Sequence, residues 1–577
     1  MLGHTLLLLY CLFSQALPSP VFASSRVSLY SDEPNSDVSI QDETDDDESS
    51  IFHSNRHAFV PQLQGSFRVV GQSGVPAMAA VLMRNGNVVF LDKVENYTQL
   101  TLENGQYAYS ADFNLTTNTP LPLPYITNAF CVGGAFLADG RVISVGGNGP
   151  LPEINPTVGD GFRAIRYLGR DYQEKGWEEP GHTLSSPRWY SSVQMLHDKT
   201  LLVMSGSRNS WDPNRVENNN PTFEILDEGG HGISESIGLP ILQRNQPYHM
   251  YPFLHLLKDG NVFIFVSRSA EVFDVQRKIT VQDLPDIPGN YRTYPNTGGS
   301  VLLPLANDKS WEPEIMVCGG GEYADINSRA ESTCGRIQPL SQDPEWELEY
   351  MPEGRVMVEG LLLPDGTVLW LNGAEWGAQG FGDAKDPCYD ALLYGPDEPP
   401  GQRWRTVAIS KIPRLYHSVA ILLLDGTVMV TGSNPAEQPI LNPDPSNQFT
   451  AYETDFRVEI FTPPYLSGDN ASRRPLDIWI SHEDLAADGS NFFISFTSRE
   501  DAKSLQIALY HGGFVTHSLH MGQRLLFLDF ENFLPGLKYQ IVKVTMPPSS
   551  SVAPAGPYVL YVVLDGVPGV GQFVMVK

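Results

Sequence analysis

The sequence predicts an all-β chain, a seven-bladed β-propeller followed by a C-terminal β-sandwich, and three observations carry that expectation. Glycine (51) and proline (45) are abundant among 577 residues and aromatics make up 10 %, a mixture suited to many short strands joined by turns. Few long segments show the 3.6-residue apolar period of a helix. A turn-and-strand unit recurs as far as about residue 452 and then stops.

The recurring unit is an apolar stretch, a turn, and a β-branched run that ends near glycine. It occurs as MRNGNVVFLD, LADGRVISVGG, LHDKTLLVMSG, LKDGNVFIFV, LPDGTVLWLNG and LLDGTVMVTGS. An Asp-Gly or Asn-Gly pair supplies the positive φ of a tight hairpin turn. With Gly86, Gly140, Lys199, Gly260, Gly366 and Gly426 as markers, the gaps are 54, 59, 61, 106 and 60 residues. The wide gap holds a seventh, degenerate copy, GGSVLLPLANDKSWEPEIMVCGGG, without the Asp-Gly turn. Seven copies at this period match the blades of a kelch-type propeller, assigned to residues 61–452. Such a ring brings chain segments that are distant in sequence together at one end of its axis.

From residue 453 to 577 the rhythm changes to about seven strands without the blade signature, RVEIFTPPYL first and YVLYVVLDG last. This pattern suits an immunoglobulin-like β-sandwich, although the Cys…Trp…Cys core of antibody domains is missing. At the other end, residues 1–23 have the form of a signal peptide: apolar from Leu6 to Phe13, then Val21-Phe22-Ala23 as a small-residue cleavage pattern. Residues 24–60, with the acidic run QDETDDDESS, lack core formers and are expected to be a disordered lead.

Charge and cysteine usage narrow the function classes. Lys+Arg of 38 against Asp+Glu of 67 gives a formal net charge of −29, which repels phosphate backbones and anionic membranes. Nucleic-acid binding and membrane binding are therefore not expected, and no segment beyond the leader reaches the ~18 apolar residues of a membrane span. Sequons at Asn96, Asn114 and Asn470 agree with an extracellular glycoprotein. Cys318 and Cys334 close a short loop and form the expected disulfide of an oxidising compartment. With Cys11 lost in the expected leader, Cys131 and Cys388 remain, and a bridge between them is the structural alternative to any chemical role for Cys131.

Four separated stretches carry candidate chemistry: NAFCVGGAF around Cys131, PRWYSSV around Tyr190, PRLYHSV around Tyr416 and His417, and VTHSLHMGQR around His517. Two imidazoles and two phenols suit Cu(II). A cysteine beside one phenol allows a thioether crosslink that makes the ring easier to oxidise. Each residue also has a plain structural reading. Tyr-His before a blade strand is ordinarily an aromatic edge with a satisfied imidazole, Pro-Arg precedes both tyrosines as part of the repeat, and His511 and His520 are decoys beside His517.

Taken together, the motifs resemble the copper radical oxidases, the family of galactose oxidase and glyoxal oxidase, through essentially all of residues 61–577. The NAFCVGG, RWYSS, PRLYHS and HxxxMGQR phrasing is closest to fungal glyoxal oxidases. The resemblance implies a Cys131–Tyr190 thioether whose ring carries the radical, and one copper ion held by Tyr190, Tyr416, His417 and His517. Tyr416 would be the axial phenolate that takes the substrate's proton, and a C-terminal-domain loop would deliver His517 to the propeller axis. Galactose oxidase stacks a tryptophan on its crosslinked tyrosine directly after Gly-Gly-Ser. Here the matching Ser-Gly-Ser is followed by Arg208, with Trp211 three residues later, so galactose is not the expected substrate.

The expected function is oxidation of small aldehydes such as glyoxal or methylglyoxal to carboxylic acids by a secreted, monomeric enzyme. O2 is the acceptor, and the H2O2 released would feed extracellular peroxidases. Two alternatives stay open at this stage: the same chemistry on aryl or aliphatic primary alcohols, and an inactive kelch-propeller binding protein.

Overall fold

The computed structural model describes residues 63–577 apart from 173–174 and 210–211. The segments expected to be a signal peptide and an acidic lead lie outside the described residues, as does Trp211. Seven antiparallel blades form the propeller, six as four-stranded sheets and the first within a six-stranded one, and a larger sheet assembly follows. The inner strands begin, in order, at Ala79, Gly133, Ser192, Phe253, Gly298, Glu359 and Ser418.

The hairpin turns between first and second strands explain the repeat that the sequence shows. Gly86, Gly140, Gly260, Gly366 and Gly426 all have φ between 79° and 89°, and Lys199 takes the same left-handed conformation at 70°. Ahead of each, the side-chain oxygen of Asn85, Asp139, Asp198, Asp259, Asp365 or Asp425 accepts the backbone N–H two residues on, at 2.9–3.1 Å. The turn is thus written locally, by an Asx side chain and a residue free to adopt positive φ. Blade 5 lacks this pair and crosses instead by a longer loop containing the 3₁₀ turn Asn307–Lys309. Its second and third strands are joined by the Cys318–Cys334 disulfide. Cys131 and Cys388 are both free and buried, so no bridge links them.

The ring closes through a pairing that the sequence pattern does not reveal. The segment Arg457–Thr462, assigned above to the sandwich, is the third strand of blade 7, and Ser66–Gln72 supplies that blade's outer strand. Its alternating apolar residues suit either setting. The partner that decides, nearly 400 residues away, is invisible to local periodicity.

Blades 3 and 7 are each pinned by an arginine just ahead of the inner strand. Arg188 donates to Glu224 Oε1 at 2.7 Å and to the carbonyls of Ser205 and Thr222, and Arg414 repeats this with Glu459 and the carbonyls of Gly432 and Arg457. The Pro-Arg pair before Tyr190 and before Leu415-Tyr416 is therefore a latch that fixes where the next residues sit. His255, on the inner strand of blade 4, bonds Ser300 of blade 5 at 2.8 Å through Nε2. Burial, helped by Arg524, holds its pKa down at about 3. The unfolded chain takes up that proton near pH 6.5 and the folded protein does not, so stability is lost as the pH falls from 6.5 towards 3. Relative to His255→Gln, the unaltered protein should lose about 2 kcal/mol between pH 7 and pH 5, read by urea unfolding at the two pH values.

The sandwich is two layers bridged by the long strand Arg524–Glu531, which pairs with Leu505–His511 on one side and with Tyr539–Thr545 on the other. Between His511 and Arg524 the chain leaves the sandwich as a hairpin, Phe514–Thr516 and Leu519–Met521, and joins the inner strand of blade 1 as two added strands. Gln523 Oε1 accepts the Leu362 N–H, Arg524 donates to the Ser551, Val552 and Leu256 carbonyls, and the 3.1 Å hydrogen bond between His520 Nε2 and Glu359 Oε2 anchors the hairpin to blade 6. Among the described residues, no helix is long and apolar enough to cross a membrane.

Candidate active site

Six of the seven inner strands are entered through a residue in left-handed conformation: Ala77, Cys131, Tyr190, Tyr251, Met357 and His417. For non-glycine residues this conformation is strained and persists where the surroundings over-determine it. Cys131, Tyr190 and His417 thus occupy equivalent positions of blades 2, 3 and 7. The fourth contribution comes from the hairpin. His517 and Ser518 form its two-residue loop with φ of 51° and 68°, the two positive values a type I′ turn requires, although neither is glycine.

These positions converge. Cys131 Sγ lies 3.2 Å from His517 Nε2, 3.9 Å from His417 Nε2 and 3.9 Å from the Tyr416 hydroxyl. The ligand atoms of Cys131, His417 and His517 all lie within 4.8 Å of one another. The His417 and His517 rings are 4.9 Å apart, Tyr416 is 3.7 Å from His417 and 5.4 Å from His517, and Tyr190 is 6.0 Å from His517. The Tyr190 N–H donates to the Cys131 carbonyl at 3.0 Å. All five residues are buried.

Burial sets the protonation of the group. Desolvation holds His417 well below the usual imidazole range and His517 at about 3, so both rings are neutral at ordinary pH. The same effect pushes the Cys131 thiol and the Tyr190 and Tyr416 phenols well up, against the hydrogen bonds that Tyr190 and Tyr416 offer the thiol. Thr516 fixes one tautomer. Its hydroxyl donates to the Met78 carbonyl at 3.2 Å and so accepts from His517 Nδ1 at 2.6 Å, leaving the Nε2 lone pair free to face the site. His511 and His520, the neighbours in the motif, are occupied elsewhere, His511 by the Pro557 carbonyl and His520 by Glu359.

Several residues of the site were not singled out in the sequence. Tyr190 is sandwiched between Trp189 (4.6 Å, 30°) and Tyr294 (4.4 Å, 27°), and Tyr294 also approaches Tyr416, hydroxyl to hydroxyl, at 3.1 Å. Arg208, at the position compared above with a stacking tryptophan, points its guanidinium to the Asn219 carbonyl instead. Phe130 and Phe381 stack at 6.0 Å and turn edges to His417, and Phe381, half-buried, belongs to an extra hairpin of blade 6. Tyr294 precedes the degenerate blade copy, and its place there is the one signal that could have found it.

Residues 78–465 match the family described as glyoxal oxidase N-terminus. The chain belongs to the glyoxal oxidase family. Residues 474–576 of this glyoxal oxidase family member match the galactose oxidase-like early set domain, in accord with the sandwich. An aldehyde oxidase GLOX of Vitis pseudoreticulata is 33 % identical over 537 residues, covering 88 % of this chain and 96 % of the relative. The aldehyde oxidase GLOX1 of Arabidopsis thaliana is 32 % identical, covering 87 % and 83 %. A solved fungal alcohol oxidase of the AA5 family, in complex with copper, superposes with a TM-score of 0.68 at 19 % identity, over 88 % of this chain and 98 % of the other, a likeness of fold. The protein is an oxidoreductase of the copper radical oxidase type, acting on a small molecule with O2.

Proposed function

We propose that this chain is an aldehyde oxidase that converts small aldehydes such as glyoxal and methylglyoxal, as their hydrates, to carboxylic acids. The balance is RCH(OH)2 + O2 → RCOOH + H2O2. The observation that carries the reading is the meeting of Cys131, Tyr190, Tyr416 and His417 with the hairpin's His517 in one buried cluster. The relatives of about one-third identity, both named aldehyde oxidases, support the substrate class.

The donor set fits copper, since neutral imidazoles with a free Nε2 and oxygen donors both favour it. His417, His517, Tyr190 and Tyr416 would hold the ion. Copper, when bound, supplies one one-electron acceptor and the modified Tyr190 ring the other, so a two-electron oxidation needs no flavin or nicotinamide. The chain's own residues do the rest. Tyr416, as phenolate, takes the substrate's hydroxyl proton, and the Tyr294 hydroxyl 3.1 Å away donates to the oxygen that carries the charge. Phe130, Phe381 and Trp189 line the neighbourhood with apolar rings that exclude water.

The same cluster offers a rival ligand set, the Cys131 thiolate with two imidazoles. A thioether removes that rival, because the sulfur is no longer anionic. Crosslinking balances as RSH + ArH + O2 → RSAr + H2O2. Peptide mass analysis after copper loading in air should therefore yield a Cys131–Tyr190 pair lighter by two hydrogens than its parts. Two unmodified peptides would sink the proposal and leave the binding-protein alternative. Oxygen uptake over glyoxal, methylglyoxal, benzyl alcohol, butanol and galactose tests the substrate, and activity confined to the alcohols would overturn the aldehyde assignment. Thr516→Val, which frees His517 Nδ1, should weaken copper binding about 10–100-fold in a chelator competition.

We place the enzyme outside the cell as a monomer that supplies H2O2 to peroxidases. The leader pattern, the disulfide and an exposed sequon at Asn96 support export.

A further inference from the structure

Beside the candidate site the fold buries an ion pair that the chemistry above does not use. Lys93 and Glu95 follow the second strand of blade 1, and their side chains are 2 % and 0 % exposed. The Lys93 ammonium is salt-bridged to Glu95 Oε1 and donates to the Glu437 carbonyl at 2.7 Å. It also lies over Phe130 and over Phe381, 5.8 Å from each ring centre. Those rings stack on one another and present T-shaped contacts to His417 at 5.8 and 6.1 Å. The two rings therefore contact the ammonium on one side and the imidazole on the other.

The pair is held towards the site. Glu95 Oε1 accepts from Asn434 Nδ2 at 2.7 Å, the Asn434 N–H donates to the Tyr416 carbonyl at 2.7 Å, and Glu95 Oε2 is buried without a partner. For stability alone, apolar residues of the same volume serve as well as a buried ion pair or better. A charge kept here acts on its surroundings through a medium that screens it weakly.

We propose that Lys93 is a fixed positive charge that raises the reduction potential of the metal centre at His417, with Glu95 holding it in place and opposing it. The inference rests on the copper reading above. Reducing the ion removes a positive charge from the site, so a nearby ammonium favours the reduced state and a nearby carboxylate the oxidised one. Lys93 touches neither substrate nor metal and acts through its field.

The test is a redox titration of the copper-loaded protein at pH 9, where the Glu95 carboxyl that burial pushes up to about 8 is ionised, following the Cu(II) spectrum against mediators, for Lys93→Met, Glu95→Gln and the double variant. Lys93→Met should move the equilibrium about tenfold towards Cu(II), ~59 mV for one electron, and Glu95→Gln by a similar factor towards Cu(I). The double variant, with both charges gone, should return to within about threefold of the unaltered protein. Single variants that shift in the same direction, or that shift less than about threefold, overturn the inference. Should Lys93→Met fail to fold because it strands Glu95, Glu95→Gln and the double variant decide alone. An unaltered protein with no copper couple overturns the site reading and the inference with it. A normal couple left unmoved by the variants overturns the inference and spares the site.

Discussion

Tyr190→Phe should cut aldehyde-dependent O2 uptake at least about a thousandfold while the protein unfolds within about 1 kcal/mol of the unaltered chain. The change removes one oxygen and keeps the ring between Trp189 and Tyr294, so the packing that holds blade 3 to the axis persists. Cys131→Ser should cost turnover of the same order, because without sulfur the ring remains an ordinary phenol. The double variant should be little worse than either single one, as expected for residues that act as one unit. Rates come from an oxygen electrode, stabilities from denaturant unfolding, and the crosslink from peptide mass. Either single variant turning over normally would remove the proposed cofactor from the mechanism.

Arg188→Met carries the largest expected effect on stability. Arg188 and Glu224 are both fully buried, and truncating the cation leaves an uncompensated carboxylate in the blade. The expected loss is about 3–5 kcal/mol. Arg188→Met with Glu224→Met, which removes both charges, should recover most of it, and the difference between single and double variants isolates the stranded charge from lost packing. Because the latch also sets Trp189 and Tyr190, the single variant should bind copper more weakly at temperatures where it is still folded. If single and double variants unfold alike, the cost lies in packing and the account of the latch is wrong.

How far the sequence could be followed depends on the range of the interactions involved. The blade turns were legible because Asx side chains and a left-handed residue write them within four positions, and Lys199 kept its place in the series by taking the same conformation. Cys131, Tyr190, Tyr416, His417 and His517 were found through motif phrasing, and the structure brings them together. His517 was chosen over His511 and His520 on the family resemblance, and in the structure those two are bonded to Pro557 and Glu359. Tyr294 escaped notice because stacking on Tyr190 leaves no periodic trace, and Trp189, though inside the RWYSS phrase, was given no role for the same reason. Lys93 escaped because a lysine after a strand reads as solvated. The strand Arg457–Thr462 was assigned to the wrong domain because its partner, Ser66–Gln72, lies at the far end of the propeller sequence.

The hairpin at His517 has a bearing on biosynthesis. Chain order places Cys131, Tyr190, Tyr416 and His417 in the ring and His517 in the domain made afterwards. A nascent polypeptide on the ribosome can therefore complete every blade and still present only one of the two imidazoles. On the proposed copper reading, the full ligand set would assemble only once translation has passed the hairpin and the later domain has docked.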